Sequence, residues 1–305
     1  MKQYIDLLHK ILRDGEPRDD RTGVGTLSIF GGQLEFDLRE RFPLVTIKET
    51  KWRSSFIEML WFLRGEPNAD YLHQHGVKIW DEWMKPDGSL GPIYGVQWRK
   101  WPGQVKFHRH TKDDPFEVEN VRVLDVSNSA SPIYLSEYAG VSYQIQIDQI
   151  KNLIDGIKRD PNGRRHIVIA WNPADLPDMA LPPCHRDFHC YVSNDRHLDL
   201  MMAIRSWDTA LGGPFNIAQY ALLTHLIARA TDLKPRYLKI NYGDAHIYQN
   251  HRKPIYDMLM KRVTVSCDTK LIFKTENTDI DGYKPDDFDI VNYQYHPFLK
   301  LPIAV

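Results

Sequence analysis

Apolar residues recur along the chain in two rhythms, and each marks a different kind of element. Ile5, Leu8 and Leu12 share one helical face and the pattern stops near Gly15, which predicts an amphipathic first helix. From Leu27 to Leu38 enough positions alternate to predict a strand, with Gly31-Gly32 as a bend or bulge. Residues 53 to 63, RSSFIEMLWFL, are apolar nearly all round and predict a buried helix with one carboxylate, Glu58, in its middle. A second amphipathic helix is predicted over 148 to 158 from Ile150, Leu153, Ile154 and Ile157. The stretch NIAQYALLTHLIARA predicts another buried helix, and YLKINYGDAHIY the strand that follows it.

Between Pro102 and Tyr143 the rhythm fails. The composition turns polar, with HRH at 108 to 110 read as exposed loop, then KDDP and SNSASP. Only FEVENVRVLDV alternates like a strand there. The segment is too short and too polar for a core of its own, so it reads as a flap inserted at about 103–143 in a single domain spanning 1–305. No repeat or low-complexity linker divides the chain.

With 305 residues, 42% hydrophobic and 26% charged, the chain is long enough to bury a full globular core. A net charge of -1 gives no general attraction to nucleic acid, so an anionic partner must meet a local arginine cluster. The first residues, MKQYIDLLHKILRDG, carry charge throughout, and no stretch approaches the roughly eighteen apolar residues of a membrane span. The expected location is therefore the cytoplasm, away from any membrane. Three cysteines fit a reducing compartment better than a disulfide framework.

The densest chemistry lies in LPPCHRDFHC, residues 181 to 190. Zinc knuckles separate paired ligands by two to four residues so the chain can turn around the ion. Cys184-His185 and His189-Cys190 are adjacent pairs, and the aromatic and β-branched run after them predicts a strand, on which His189 and Cys190 diverge. No metal is expected. Pro182-Pro183 would set Cys184 on a rigid, exposed corner, which suits a special cysteine, although a plain buried thiol is the better reading of this stretch taken alone. Glu58 needs a partner, a proton or water in its apolar helix, and so is either a proton-transfer group or half of an ion pair with Arg53 or Arg99. Arg164-Arg165 are either solvated charges or, with Arg21 and Arg205-Ser206, a set of forks and a hydroxyl suited to phosphate. Trp80 and Trp83 of IWDEW fit a core or a stacking platform. Gly212-Gly213 lacks the third glycine of a dinucleotide fingerprint. The residues allow a cysteine nucleophile, a buried acid and an anion pocket, and do not choose the substrate.

Longer motifs do. DRTGVGTLSIFG, FPLVTIKET, EMLWFLRGEPNADYL, IWDEW, LGPIYGVQWR, GRRHIVIAWNP, MALPPCH, RSWDTALGGPFNIAQYALLTH, GDAHIYQNH and PIAV follow one another in an order that closely resembles the thymidylate synthase family, failing mainly between Pro102 and Tyr143. The resemblance implies an α+β fold in which helices flank a mixed β-sheet and two sheets stack across a dimer interface. It implies a methyltransferase that converts deoxyuridylate (dUMP) to thymidylate (dTMP), with methylenetetrahydrofolate as carbon and hydride donor and no metal.

Residue by residue, the resemblance makes Cys184 the thiolate that adds to the uracil ring, with Arg205 lowering its pKa. Glu58, His185 and Tyr94 are then the proton-handling groups, and Asn216 reads the uracil edge. Arg21, Arg205 and Ser206 surround the phosphate, joined by Arg164 and Arg165 from a second subunit, while His246 and Tyr248 hold the sugar. Asp208 faces the pterin, and Trp80, Trp83, Leu211, Gly212 and Phe215 line or close the cleft under the terminal Val305.

Three departures stand out from the family pattern. Ile204 replaces a common glutamine, Arg186-Asp187 replaces an apolar or aromatic pair, and Trp207 replaces a small residue where it is expected to reshape the folate side. The rival enzyme is a deoxyuridylate hydroxymethylase, in which water replaces hydride. A non-catalytic binding homologue fits less well, because the reactive residues are all present.

Overall fold

The computed structural model describes residues 1–106 and 142–304. The first half of the chain forms α1 (Lys2–Asp14), β1 (Glu16–Arg18), β2 (Thr26–Asp37), α2 (Trp52–Arg64), α3 (Asp70–Gln74), α4 (Tyr94–Lys100), β3 (Trp101–Lys106), β4 (Ser142–Ile147) and α5 (Gln149–Arg159). The second half adds β5 (Ile167–Ile169), β6 (His185–Val192), β7 (His197–Asp208), α6 (Gly213–Ala230), β8 (Lys234–Tyr248), α7 (Gln249–Lys261), β9 (Lys270–Phe273) and β10 (Phe288–Val291).

The helical rhythms are realised with small rotations. In α1 the buried stripe is Tyr4, Leu7, Leu8 and Ile11, with Ile5 and Leu12 at its margin, and the helix ends at Gly15. In α5 the expected stripe of Ile150, Leu153, Ile154 and Ile157 is buried, and the Asp148 side chain caps the helix by accepting from Lys151 N–H. Helix α2 is buried without a break from Ser55 to Leu63, and Gly65, at φ 65°, closes it in the left-handed conformation that glycine adopts without strain. Burying Phe56 and Phe62 contributes roughly 2–3 kcal/mol each, which offsets the cost of taking Glu58 inside.

Strands assemble into a mixed six-stranded sheet of order β1-β2-β8-β7-β6-β5. Only β7 and β8 run parallel, and α6 supplies the crossover that a parallel pair needs. The architecture is α+β, as expected. Strand β2 pairs with β8 in the same register on both sides of Gly31-Gly32, so Gly31, at φ 83°, makes a bend and not a bulge. Helices α1, α6 and α7 pack against the sheet, and α2 packs on α6. On the opposite face, Ile167, Ile169, Tyr191 and Met201 stay exposed or half-buried, so nothing among the described residues covers it. The ends of β7 and β8, the start of β6 and the segment before β2 meet at one end of the sheet, beside the start of α6. That end holds the candidate chemistry.

Strands β3 and β4 form an antiparallel pair at the two ends of the segment expected to be a flap, and the strand expected at FEVENVRVLDV and the HRH loop lie outside the described residues. Among the described residues no helix is long and apolar enough to cross a membrane.

Candidate active site

Cys184 stands where the loop from Pro182 enters β6, and three side-chain contacts fix its backbone. Arg205, reaching over from β7, donates from Nη2 to Pro182 O at 2.8 Å and from Nε to Pro183 O at 2.9 Å. Its guanidinium also lies 5.2 Å from the Trp171 ring centre. Tyr94, at the first turn of α4, accepts from Cys184 N–H at 2.8 Å. The corner expected to be exposed is half-buried at Cys184 and braced by these contacts. Burial therefore pushes the thiol above its ordinary value, although Arg205, Tyr94 and Arg21 pull it the other way. Arg205 lowers the thiol as expected, but desolvation outweighs that pull.

The second cysteine of the motif diverges from its neighbour, as the strand reading requires. Cys190 is fully buried and its thiol is held well above the ordinary value, while His189 points to the other face. Among the described residues no three metal-ligating side chains gather.

Glu58 is 8% exposed and has neither Arg53 nor Arg99 beside it. Arg53 pairs with Asp286, and Arg99 with Asp148 and Asp281. Its own partners are neutral. Trp80 Nε1 donates to Oε1 at 2.7 Å, and Gln219 Nε2, from α6, donates to Oε2. Those two donors favour the anion, but burial prevails and moves the carboxyl up to about 7. Beside this group, His185 is buried against Tyr94 and Tyr220, its ring is pushed down to about 4 by desolvation, and it is neutral at neutral pH. Its Nδ1 has no partner among the described residues. One turn before Gln219, Asn216 completes the cluster, donating from Nδ2 to Gln219 Oε1 at 3.2 Å and accepting from Trp207 Nε1 at 3.0 Å. A thiol, an acid poised near neutrality, a neutral imidazole and a polar amide are thus joined through Tyr94, Trp80 and Gln219 into one cluster.

The model of the thymidylate synthase family matches residues 2–305. The chain belongs to this family.

The further positions that the thymidylate synthase family points to are gathered unevenly. Ser206 stands opposite Asp244 and Asp208 opposite His246 in the β7-β8 register, which brings two strands' polar groups to the cleft. His246 Nδ1 lies 2.9 Å from Asp244 Oδ1, and Tyr248 packs edge-on to His246 with its hydroxyl pushed up to about 12. Asp208 Oδ1 accepts from the N–H groups of Ala210 and Leu211, both at 3.0 Å, which shapes the turn into Gly212. Phe215 accepts from Ser55 through its carbonyl, joining α6 to α2. Trp83 packs 5.8 Å from Trp80, and its buried Nε1 lacks a partner among the described residues. Arg21 is exposed, but its charge reaches Cys184 and Tyr248. Arg164 and Arg165 sit exposed before β5 without an ion pair among the described residues, apart from the cluster in their own chain. Val305 lies outside the described residues.

Trp207 is buried, packs on Tyr242 and hydrogen-bonds Asn216, so it lies against the amide. Of the other departures, Ile204 is simply buried, while Arg186 pairs with Asp187 at 2.7 Å on the strand. Two groups went unread in the sequence. Gln219 was hidden in an apolar helix, although its place three residues after Asn216 is a signal of shared face. Lys48 of FPLVTIKET is buried, donates to Ala210 O at 2.6 Å, and is pushed down to about 8 by desolvation despite Asp208 nearby.

Proposed function

We propose that this chain is a thymidylate synthase that methylates deoxyuridylate reductively, using methylenetetrahydrofolate and releasing dihydrofolate. The observation that carries this reading is Cys184 itself, held by Arg205 and Tyr94 beside an acid poised near 7. Cys184, as thiolate, adds to carbon 6 of the ring and drives the electron pair toward carbon 5, which becomes the nucleophile. Arg205 and Arg21 supply the positive charge that favours the thiolate once its proton has left. Glu58, whose carboxyl changes charge near neutral pH, gives and takes protons in the later steps, with Tyr94 and neutral His185 in the same cluster. Asn216 holds the ring edge, while His246 and Tyr248 hold the sugar.

The folate supplies the one-carbon unit and the hydride. Trp80, Trp83, Leu211, Gly212, Phe215 and Asp208 would hold it, with Val305 as the closing residue. Polar groups fit a pterin edge here, since Trp83 Nε1 is buried without a partner and only one Asp208 oxygen is spent on the turn. The active form in this reading is a homodimer stacked through the uncovered sheet face, so that Arg164 and Arg165 join Arg21, Arg205 and Ser206 of the other subunit at the phosphate.

The test is to incubate the protein with deoxyuridylate and methylenetetrahydrofolate, following dihydrofolate by ultraviolet absorbance and the nucleotide by mass. Thymidylate with equimolar dihydrofolate is expected, and Cys184→Ala should make neither. Hydroxymethyldeoxyuridylate with tetrahydrofolate would replace the reading by the hydroxymethylase, which this family also contains.

A further inference from the structure

Trp207 and Gln219 carry no role in the reaction above, yet both bond the same amide. From Trp207 the hydrogen bonds run in one direction, through Asn216 and Gln219 to Glu58. Only one polarity suits the two ends of that run. An indole nitrogen donates and never accepts, so Asn216 must turn its oxygen to Trp207. When Glu58 is ionised it only accepts, so Gln219 then turns its nitrogen to Glu58 and its oxygen to Asn216, and Asn216 answers with nitrogen. The two requirements agree. Trp207 is 1% and Gln219 0% exposed, so water cannot rescue a reversed amide. Turned over, Asn216 would set oxygen against Gln219 oxygen and N–H against the Trp207 N–H.

We propose that Trp207 and Gln219 are positioning residues that lock the Asn216 amide in one orientation, and that the lock sets a preference for uracil over cytosine. This rests on the assignment of Asn216 to the ring edge. In the lock, Oδ1 spends one of its two lone pairs on Trp207 and Nδ2 one of its two hydrogens on Gln219, which leaves the second hydrogen for a ligand and the second lone pair to a ligand or to His185, whose ring also hydrogen-bonds Asn216. Uracil presents an N–H beside a carbonyl and matches that pair. Cytosine presents a bare nitrogen beside an amino group, so it must turn the amide over and break both locking contacts. Losing either contact should lower the preference by about tenfold, the scale of one mispaired buried polar group.

The test uses Trp207→Phe, which keeps an aromatic ring and removes the N–H, and Gln219→Met, which keeps length and removes the amide. Dissociation constants for deoxyuridylate and deoxycytidylate are measured by calorimetry on wild type and both variants, with Asn216→Asp as the control on the edge assignment and melting curves as the control on folding. We expect wild type to prefer deoxyuridylate, Asn216→Asp to reverse the preference, and each lock variant to narrow it by about tenfold through a gain in deoxycytidylate binding. A ratio unmoved in both lock variants while Asn216→Asp shifts it overturns the lock and leaves the edge assignment standing. Equal weakening of both ligands shows mere packing and also overturns it. A wild type with no preference, or an inert Asn216→Asp, removes the edge assignment and the lock together.

Discussion

Glu58→Gln separates the electrostatic cost of this site from its packing. In the folded chain the carboxyl moves from 4.5 to about 7 because burial outweighs the two N–H donors. The native state therefore binds this proton more tightly than the unfolded chain. Below about pH 4.5 both states are protonated and nothing is lost. As pH rises the unfolded chain releases its proton first, so native stability falls until the folded carboxyl also ionises near pH 7. At about 1.4 kcal/mol per pKa unit the full cost is about 3 kcal/mol, of which about 1 is already present near pH 5.5. Glutamine does not ionise, and the fixed cost of pointing its amide nitrogen at a donor is the same at every pH. Relative to wild type, the variant should thus gain about 2 kcal/mol between about pH 5.5 and 8.5. Equilibrium urea unfolding of both proteins at the two pH values measures this double difference, with equal slopes as the check on the comparison. Stability curves that stay parallel within about 0.5 kcal/mol would refute a carboxyl perturbed by burial.

Two further outcomes test other parts of the site. Alkylation of ligand-free Cys184 by iodoacetamide, read by mass spectrometry, should reach its half-maximal rate above pH 9.0, the ordinary thiol value, and a midpoint below that would contradict dominance of burial. Arg165→Ala homodimers should bind nucleotide poorly, but subunits mixed one to one with inactive Cys184→Ala chains should form mixed dimers with one fully working site, regaining up to about a quarter of the wild-type activity; no recovery on mixing, or a fully active monomer by sedimentation, would exclude arginines shared between subunits.

The buried helices were legible because burial on all sides leaves a continuous apolar run, and Glu58 stood out within one for the same reason. The amphipathic helices were legible from spacing, with α1 rotated by about a residue because Tyr4 and Ile11 take the inner face that Ile5 and Leu12 were expected to share. The bond from Trp207 to Asn216 was not legible, since Trp207 was read from its neighbour Asp208 and adjacent residues on a strand need not share surroundings. The lowering by Arg205 was legible because a nearby arginine is visible as a motif, whereas the larger desolvation is a property of everything packed around the thiol and was not. Lys48 lies 162 positions from the carbonyl it serves, a pairing that no local pattern encodes.

The uncovered sheet face has a consequence for how the protein is made. A chain that has finished its internal folding still presents Tyr191 at 60% exposure, with Ile167 and Ile169 above 40%, in neighbouring strands. If a second copy covers that surface, the last stage of maturation is a collision between two molecules, and its rate rises with the square of the concentration of newly made chains. Slow synthesis then leaves single chains waiting with a sticky surface, while rapid synthesis favours both correct pairing and clumping. The recovered yield should therefore pass through a maximum as expression is raised, and soluble single chains should accumulate at the low end of that range.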